Sequence, residues 1–129
     1  MHKGFVMTGA LLAAIAVALG AFAAHGLKKI VPAETVQTFQ TGVQYQMYHS
    51  LALLLTGILY EKCSQKYVKI AGYFFIAGIV LFSGSLYTLT IGKAAEVTSF
   101  DNIGIITPLG GVCFIAGWLF LFFAAMKNK

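Results

Sequence analysis

Hydrophobic residues are concentrated in four runs along the chain, Phe5–Ala24, Gly42–Tyr60, Val68–Ile91 and Ile105–Met126, each bounded by charge, glycine or proline. A helix needs about 20 largely apolar residues to cross the hydrocarbon core of a bilayer, and each run comes up to that length. The segments between the runs are short, which sets neighbouring helices antiparallel in one bundle. The pattern predicts an all-α integral membrane protein, a single domain over residues 1–129 built from four antiparallel transmembrane helices.

The second run starts differently from the others. "FQTGVQYQMYHSLALLLTGILY" (39–60) is polar in its first half and apolar in its second. Pro32 is suited to open a helix, and Glu34 sits well in a first turn. From Pro32 to Tyr60 such a helix is about 43 Å long, against a hydrocarbon core of about 30 Å. The second helix is therefore expected to carry an amphipathic interfacial extension over about residues 32–41, with Gly42 as the place for a bend. Val36, Phe39, Val43 and Met47 make an apolar stripe, and Gln37, Thr41, Gln44 and Tyr48 line the opposite arc, with Thr38, Tyr45 and His49 beside them. Polar groups at membrane depth face protein or water, so that arc is expected to point into the bundle.

The first run has a rival reading. "MHKGFVMTGALLAAIAVALGAFA" has a basic start and an A-x-A ending at Ala23, as a secretory signal does. Its apolar stretch exceeds the roughly 7–15 residues usual for a signal, and no polar segment precedes the cleavage pattern, so it is read as a span.

Composition agrees with a membrane protein. Hydrophobic residues make up 59% and charged residues 10%, with a mean hydropathy of +0.83; soluble domains run at about 45–50% and about 25%. The net charge of +5 comes from lysine, with no arginine in the chain. Nucleic-acid readers rely on arginine for bidentate base contacts, so that partner class is set aside and membrane lipids are the expected partner. With four spans, Lys3, Lys62, Lys66, Lys69, Lys127 and Lys129 share one side with Glu61, for a net +5. Lys28, Lys29 and Lys93 share the other with Glu34, Glu96 and Asp101, for a net zero. Lysine marks the inner side, which puts both termini in the cytoplasm. Cys63 in a charged loop and Cys113 in an apolar run fall at different depths and are expected to be free thiols.

Helices in lipid are held by close backbone approach at small residues. Gly9, Ala13, Ala16, Gly20 and Ala24 follow helical spacing on one side of the first span, and Ala10, Ala14 and Ala18 line another. Small residues on two sides predict a central first helix. Gly110 and Gly117 give the fourth span its packing side. Phe74, Phe75, Phe82, Phe114, Trp118, Phe120, Phe122 and Phe123 are expected to supply lipid-facing bulk. Thr107-Pro108 fits an N-cap followed by proline at the first helical position.

Polar groups gather at the ends of the spans on the outer side. His25 closes the first span, Gln44, Tyr45, Tyr48 and His49 open the second, Ser85 and Tyr87 lie near the end of the third, and Thr107 opens the fourth. These eight residues are the candidate polar cluster.

The segments "LGAFAAHGL" (19–27), "YQMYHSLALL" (45–54), "LFSGSLY" (81–87) and "ITPLGG" followed by "FIAGW" (106–118) resemble the small membrane family called domain of unknown function 423, whose eukaryotic relative is transmembrane protein 256. One departure is Ala23, where the family pattern has glycine. The resemblance implies a four-helix bacterial inner-membrane protein. It brings no activity and no catalytic residues.

Two functional classes follow from the residues. One is a binding or transport-like module, with the polar cluster open to the outer leaflet as a pocket for a lipid or small amphiphile. The other is a structural or accessory protein that assembles with itself or with a larger membrane complex, its polar residues serving as interhelical ties. An enzyme is not expected: Ser50, Ser83 and Ser85 have no paired acid, and no Cys–His or His–Asp arrangement is visible. His25 and His49 on separate helices do not make a metal site, so no metal or cofactor is expected.

Overall fold

Lys3–Ala24 forms α1, capped by the His2 ring, whose Nδ1 accepts the Phe5 N–H at 3.2 Å. A 3₁₀ turn at Leu27–Lys29 leads to α2, Ala33–Leu59, one continuous helix of 27 residues with Pro32 as its N-cap. Next come α3, Gln65–Gly78, a π-helical segment at Ile79–Ser83, and α4, Gly84–Ala94, as one run of helix. A 3₁₀ segment, Thr98–Ile105, feeds α5, Ile106–Met126. The computed structural model describes residues 1–127; Lys129, counted above among the lysines of one side, lies outside them. The described chain is helical, with four long helical units and no strand among the described residues.

Three of these units are long and apolar enough to cross a membrane: Lys3–Lys29, Gln65–Ala94 and Thr98–Met126. The α2 helix is not among them, because its first half carries Glu34, Gln37, Gln40, Gln44 and Gln46.

α1 lies against α2, α2 also touches α3, the π segment and α4, and α5 packs on α3 and the π segment. The first helix is therefore not central. Gly9, Ala16 and Ala23 are buried, Ala13, Gly20 and Ala24 are half-buried, and Ala10, Ala14 and Ala18 are exposed. Alanine serves two ends, as a spacer for a close neighbour or as a plain apolar surface, and the second alanine row is of the latter kind.

Gly9, Gly57 and Gly110 mark main-chain contact, Gly57 against His2 and Val6. A methyl at Gly9 would stand 2.8 Å from the Ser50 carbonyl oxygen, and one at Gly110 would overlap the Phe82 backbone. Most of the other glycines facing a neighbour do something else. Gly72 faces the Phe5 ring, Gly78 the Phe114 ring and Gly117 the Phe75 ring. Phe75 and Phe114 are consequently core residues, 0% and 4% exposed, not lipid-facing bulk. Phe122 and Phe123 do point outward.

The opening of α5 also differs from the sequence expectation. The helix starts at Ile106 and continues from the 3₁₀ segment, so Thr107 is inside the first turn and caps nothing. Pro108 is still tolerated, because first-turn N–H groups have no intrahelical partner. At the end of α4 the Glu96 N–H donates to Lys93 O at 3.3 Å and the Val97 N–H to Gly92 O at 2.8 Å. This Schellman pattern puts Glu96 in the left-handed region, φ 57°. Glycine normally takes that position, and a side chain there costs about 1–2 kcal/mol.

Candidate functional site

The buried face of α2 runs through Val36, Phe39, Gly42, Gln46, His49, Leu53 and Thr56. Val36 and Phe39 pack with Ala23, Leu27 and Val31. In the first half of α2 the apolar stripe thus faces in, and Gln37, Gln44 and Tyr48 face out, the reverse of the sequence expectation. The cause is the α1–α2 connection, whose Leu27 and Val31 need an apolar surface to cover them.

Gln46 is the central tie. It is 3% exposed, its Nε2 donates to the Leu12 carbonyl of α1 at 2.8 Å, and its Oε1 accepts the Tyr87 hydroxyl of α4 at 2.6 Å. One amide therefore joins three helices. Ser83 of the π segment donates to the Gly42 carbonyl at 2.6 Å, and Ser85 pairs with Thr107 of α5 at 2.5 Å.

His49 joins α2 to α5. Its Nδ1 lies 2.7 Å from the Tyr45 carbonyl oxygen, and its Nε2 accepts the Trp118 indole N–H at 3.1 Å. A carbonyl only accepts, so Nδ1 carries the proton and Nε2 offers its lone pair. The ring stacks on Phe114, centroids 3.6 Å apart and planes 10° from parallel. Trp118 is thereby a helix tie as well as a partly exposed ring.

The eight predicted cluster residues divide. His49, Ser85, Tyr87 and Thr107 meet groups on other helices. Gln44 and Tyr48 are exposed, and Tyr45 is exposed although its ring also rests on Phe82 at 4.6 Å. His25 is exposed at the end of α1 and joins none of them. Gln46 and Ser83 were missed by the sequence reading. Gln46 could have been found from the i, i+4, i+7 spacing of Gly42, Gln46 and His49, which continues into Leu53 and Thr56. Among the described residues, no buried side-chain nitrogen or oxygen lacks a hydrogen-bond partner.

Open space lies beside this network. At the end of the bundle where α1 turns into α2 and α4 stops, a groove of about 310 Å³ is lined by Phe22, Leu27, Phe39 and Ile91. A chamber of about 550 Å³ next to it is lined by Glu34, Thr35, Thr38, Lys93 and Glu96. Ile30, Thr90 and Ala94 line both. The pair places a charged compartment against an apolar one.

Residues 19–111 match the model of the family described as "Protein of unknown function (DUF423)". The chain belongs to that family. Among its relatives, the UPF0382 membrane protein YwdK of Bacillus subtilis is 48% identical over 126 residues, covering 97% of this chain and 98% of the relative. The UPF0382 membrane protein SAB0533 of Staphylococcus aureus is 43% identical over 125 residues, covering 97% of each. A UPF0382 membrane protein of Haemophilus influenzae is 37% identical over 129 residues, covering 100% of this chain and 98% of the relative. No solved structure matches the chain.

In this DUF423 protein the segments quoted for the resemblance hold the helix ties. "YQMYHSLALL" carries Gln46 and His49, "LFSGSLY" carries Ser83, Ser85 and Tyr87, and "ITPLGG" carries Thr107 and Gly110. His49→Leu is expected to cost about 1–2 kcal/mol, because Trp118 loses its acceptor and Phe114 its stacked ring. His49→Phe, which keeps the stack, should recover part of the loss. Thermal melting in detergent checks this, and an unchanged midpoint in His49→Leu would remove the ring from the account.

Proposed function

We propose that this DUF423 protein is a non-enzymatic membrane module that holds an amphiphile at the outer end of its bundle. The observation that carries it is the charged chamber beside an apolar groove, with Ile30, Thr90 and Ala94 lining both, a form that suits a molecule with a polar head and an apolar tail. The site is distinct from the polar cluster, whose members His49, Ser85, Tyr87 and Thr107 already have partners on other helices. The test is to purify the chain in mild detergent and weigh it with its ligands by native mass spectrometry. A discrete lipid-sized adduct is expected on the parent chain. Ala94→Trp, which puts a bulky side chain where both compartments are lined, should remove it while leaving the melting temperature within a few degrees. A parent chain without an adduct would overturn the proposal.

The topology belongs to the same reading: four antiparallel spans in the bacterial cytoplasmic membrane, both termini in the cytoplasm, and an interfacial first part of α2. The His2 N–H bonds the Gly57 carbonyl, Gly9 lies at Ser50 and Leu54, and Gly20 at Val43, so rising numbers in α1 meet falling numbers in α2. Ser64–Ala124, Phe75–Gly117 and Ser85–Thr107 pair α3 and α4 with α5 in the same sense. Leu51, Leu55 and Ile58 are exposed and apolar, as lipid contact on the second half of α2 requires, whereas Gln37 and Gln44 are exposed and polar on the first. The Met1 amine pairs with Glu61 and Lys127 Nζ reaches the Tyr67 hydroxyl at 3.2 Å, which gathers the lysine-rich ends. A membrane-impermeant maleimide is expected to label Cys63 in inverted vesicles and not in intact cells. Labelling in intact cells would reverse the orientation.

A second reading, an accessory protein packed against another helix, is favoured by one observation: the exposed row Ala10, Ala14 and Ala18 on α1. A parent chain that carries no lipid and migrates as a defined oligomer would select it.

A further inference from the structure

The chamber carries charges of both signs, and we infer that its occupant is an aminophospholipid of the ethanolamine type. The inference rests on the amphiphile reading above. The primary ammonium sits between Glu34 and Glu96, the phosphodiester lies on Lys93, and an acyl chain fills the groove between Phe22 and Phe39.

Charge complementarity chooses the headgroup. The three charged lining residues sum to one negative charge, and among the described residues none of the three has an ion-pair partner. A zwitterion satisfies both signs at once, with the ammonium donating to carboxylates and the phosphate accepting from lysine. A glycerol headgroup has no cation for Glu34 and Glu96, so its phosphodiester charge is left without the compensating ammonium. A choline headgroup has no N–H to donate, and quaternary ammonium groups are recognised by aromatic faces. Phe22 and Phe39 line the apolar groove, and no aromatic residue is among those lining the chamber.

Glu96 follows the C-cap of α4. It occupies the left-handed position of the α4 cap, where glycine has no steric cost. From that position Glu96 lines the chamber. Lys93 stands in the last turn of α4, three residues before it, so one helix end presents both charges.

The experiment uses the full chain in detergent, delipidated and titrated with phosphatidylethanolamine, phosphatidylglycerol and phosphatidylcholine of identical acyl chains, read by native mass spectrometry. Ethanolamine lipid is expected to be retained about tenfold or more above the other two, the ratio set by one charge-assisted hydrogen bond. Glu96→Gly should erase that preference while its melting temperature stays equal or rises, which separates lost recognition from lost folding. Lys93→Gln should weaken all three lipids together, because all carry the phosphodiester. Equal retention of the three lipids by the parent, or an undiminished preference in Glu96→Gly, would overturn the headgroup assignment and leave amphiphile binding standing. Retention of none of them would overturn both.

Discussion

Gly110→Ala is expected to leave little folded protein after detergent extraction, whereas Gly111→Ala, one residue along, should behave as the parent. A methyl at Gly110 would meet the backbone nitrogen and Cα of Phe82, and main chain has no rotamer through which to withdraw. A methyl at Gly111 finds nothing within 4 Å. Overpacking a tight contact costs about 1–3 kcal/mol when side chains can shift, and a backbone clash belongs at or above the upper end. The loss would fall where the π segment meets α5, so Ser85–Thr107 and Gly78–Phe114 would separate with it. Both variants gain the helix propensity of alanine, about 1 kcal/mol over glycine, so that term cancels between them. Monodisperse yield and thermal melting are the measurements. Equal yields from the two would mean that α5 does not touch Phe82 through its backbone.

Gln46→Glu is the second substitution with a large expected effect, and it changes the shape of the side chain hardly at all. The Gln46 amide nitrogen donates to Leu12 O at 2.8 Å, and a carboxylate in its place sets oxygen against oxygen inside the bundle. A charged group at membrane depth costs about 3 kcal/mol even where a helix tolerates it. Gln46→Met removes the two interhelical bonds without adding a charge and should cost about 1–2 kcal/mol. The order of melting temperatures is therefore parent, Gln46→Met, Gln46→Glu. Gln46→Glu melting at or above Gln46→Met would show that the amide is not the three-helix tie described above.

Both effects depend on facts of different origin. That Gly110 packs tightly was legible from its place among the small residues of the last apolar run, and Gly9 likewise in the first. Gln46 was passed over, because Gln44 lies on a polar arc that looked equally continuous. Two polar arcs separated by roughly half a helical turn cannot be ranked by periodicity when a helix is mixed all round. His49, Ser85, Tyr87 and Thr107, which form separate ties to other helices, were legible as candidates, since each is a polar residue near the end of an apolar run. His25 met the same criterion but is exposed where α1 ends.

The family assignment was also legible, from short segments in order, and the matched region, 19–111, contains all of them except "FIAGW" at 114–118. The aromatic residues were harder. A phenylalanine in an apolar run reads the same whether it faces lipid or enters a glycine notch on the next helix. Phe75 and Phe114 do the latter and Phe122 the former.

Sequence by itself determined the all-helical class, the long apolar runs, the opening of α2 after Pro32 and the membrane family. These are sums and spacings along one chain, and hydropathy adds up without reference to any neighbour. Tertiary structure alone decided which face of α2 turns inward, which glycines seat rings and which meet backbone, and that α1 lies to one side. It also opened the chamber beside Glu96. Those outcomes depend on the shape of the facing helix, and in a bundle where both lipid and core are apolar, shape and hydrogen bonding choose the inner face after hydrophobicity has ceased to distinguish it.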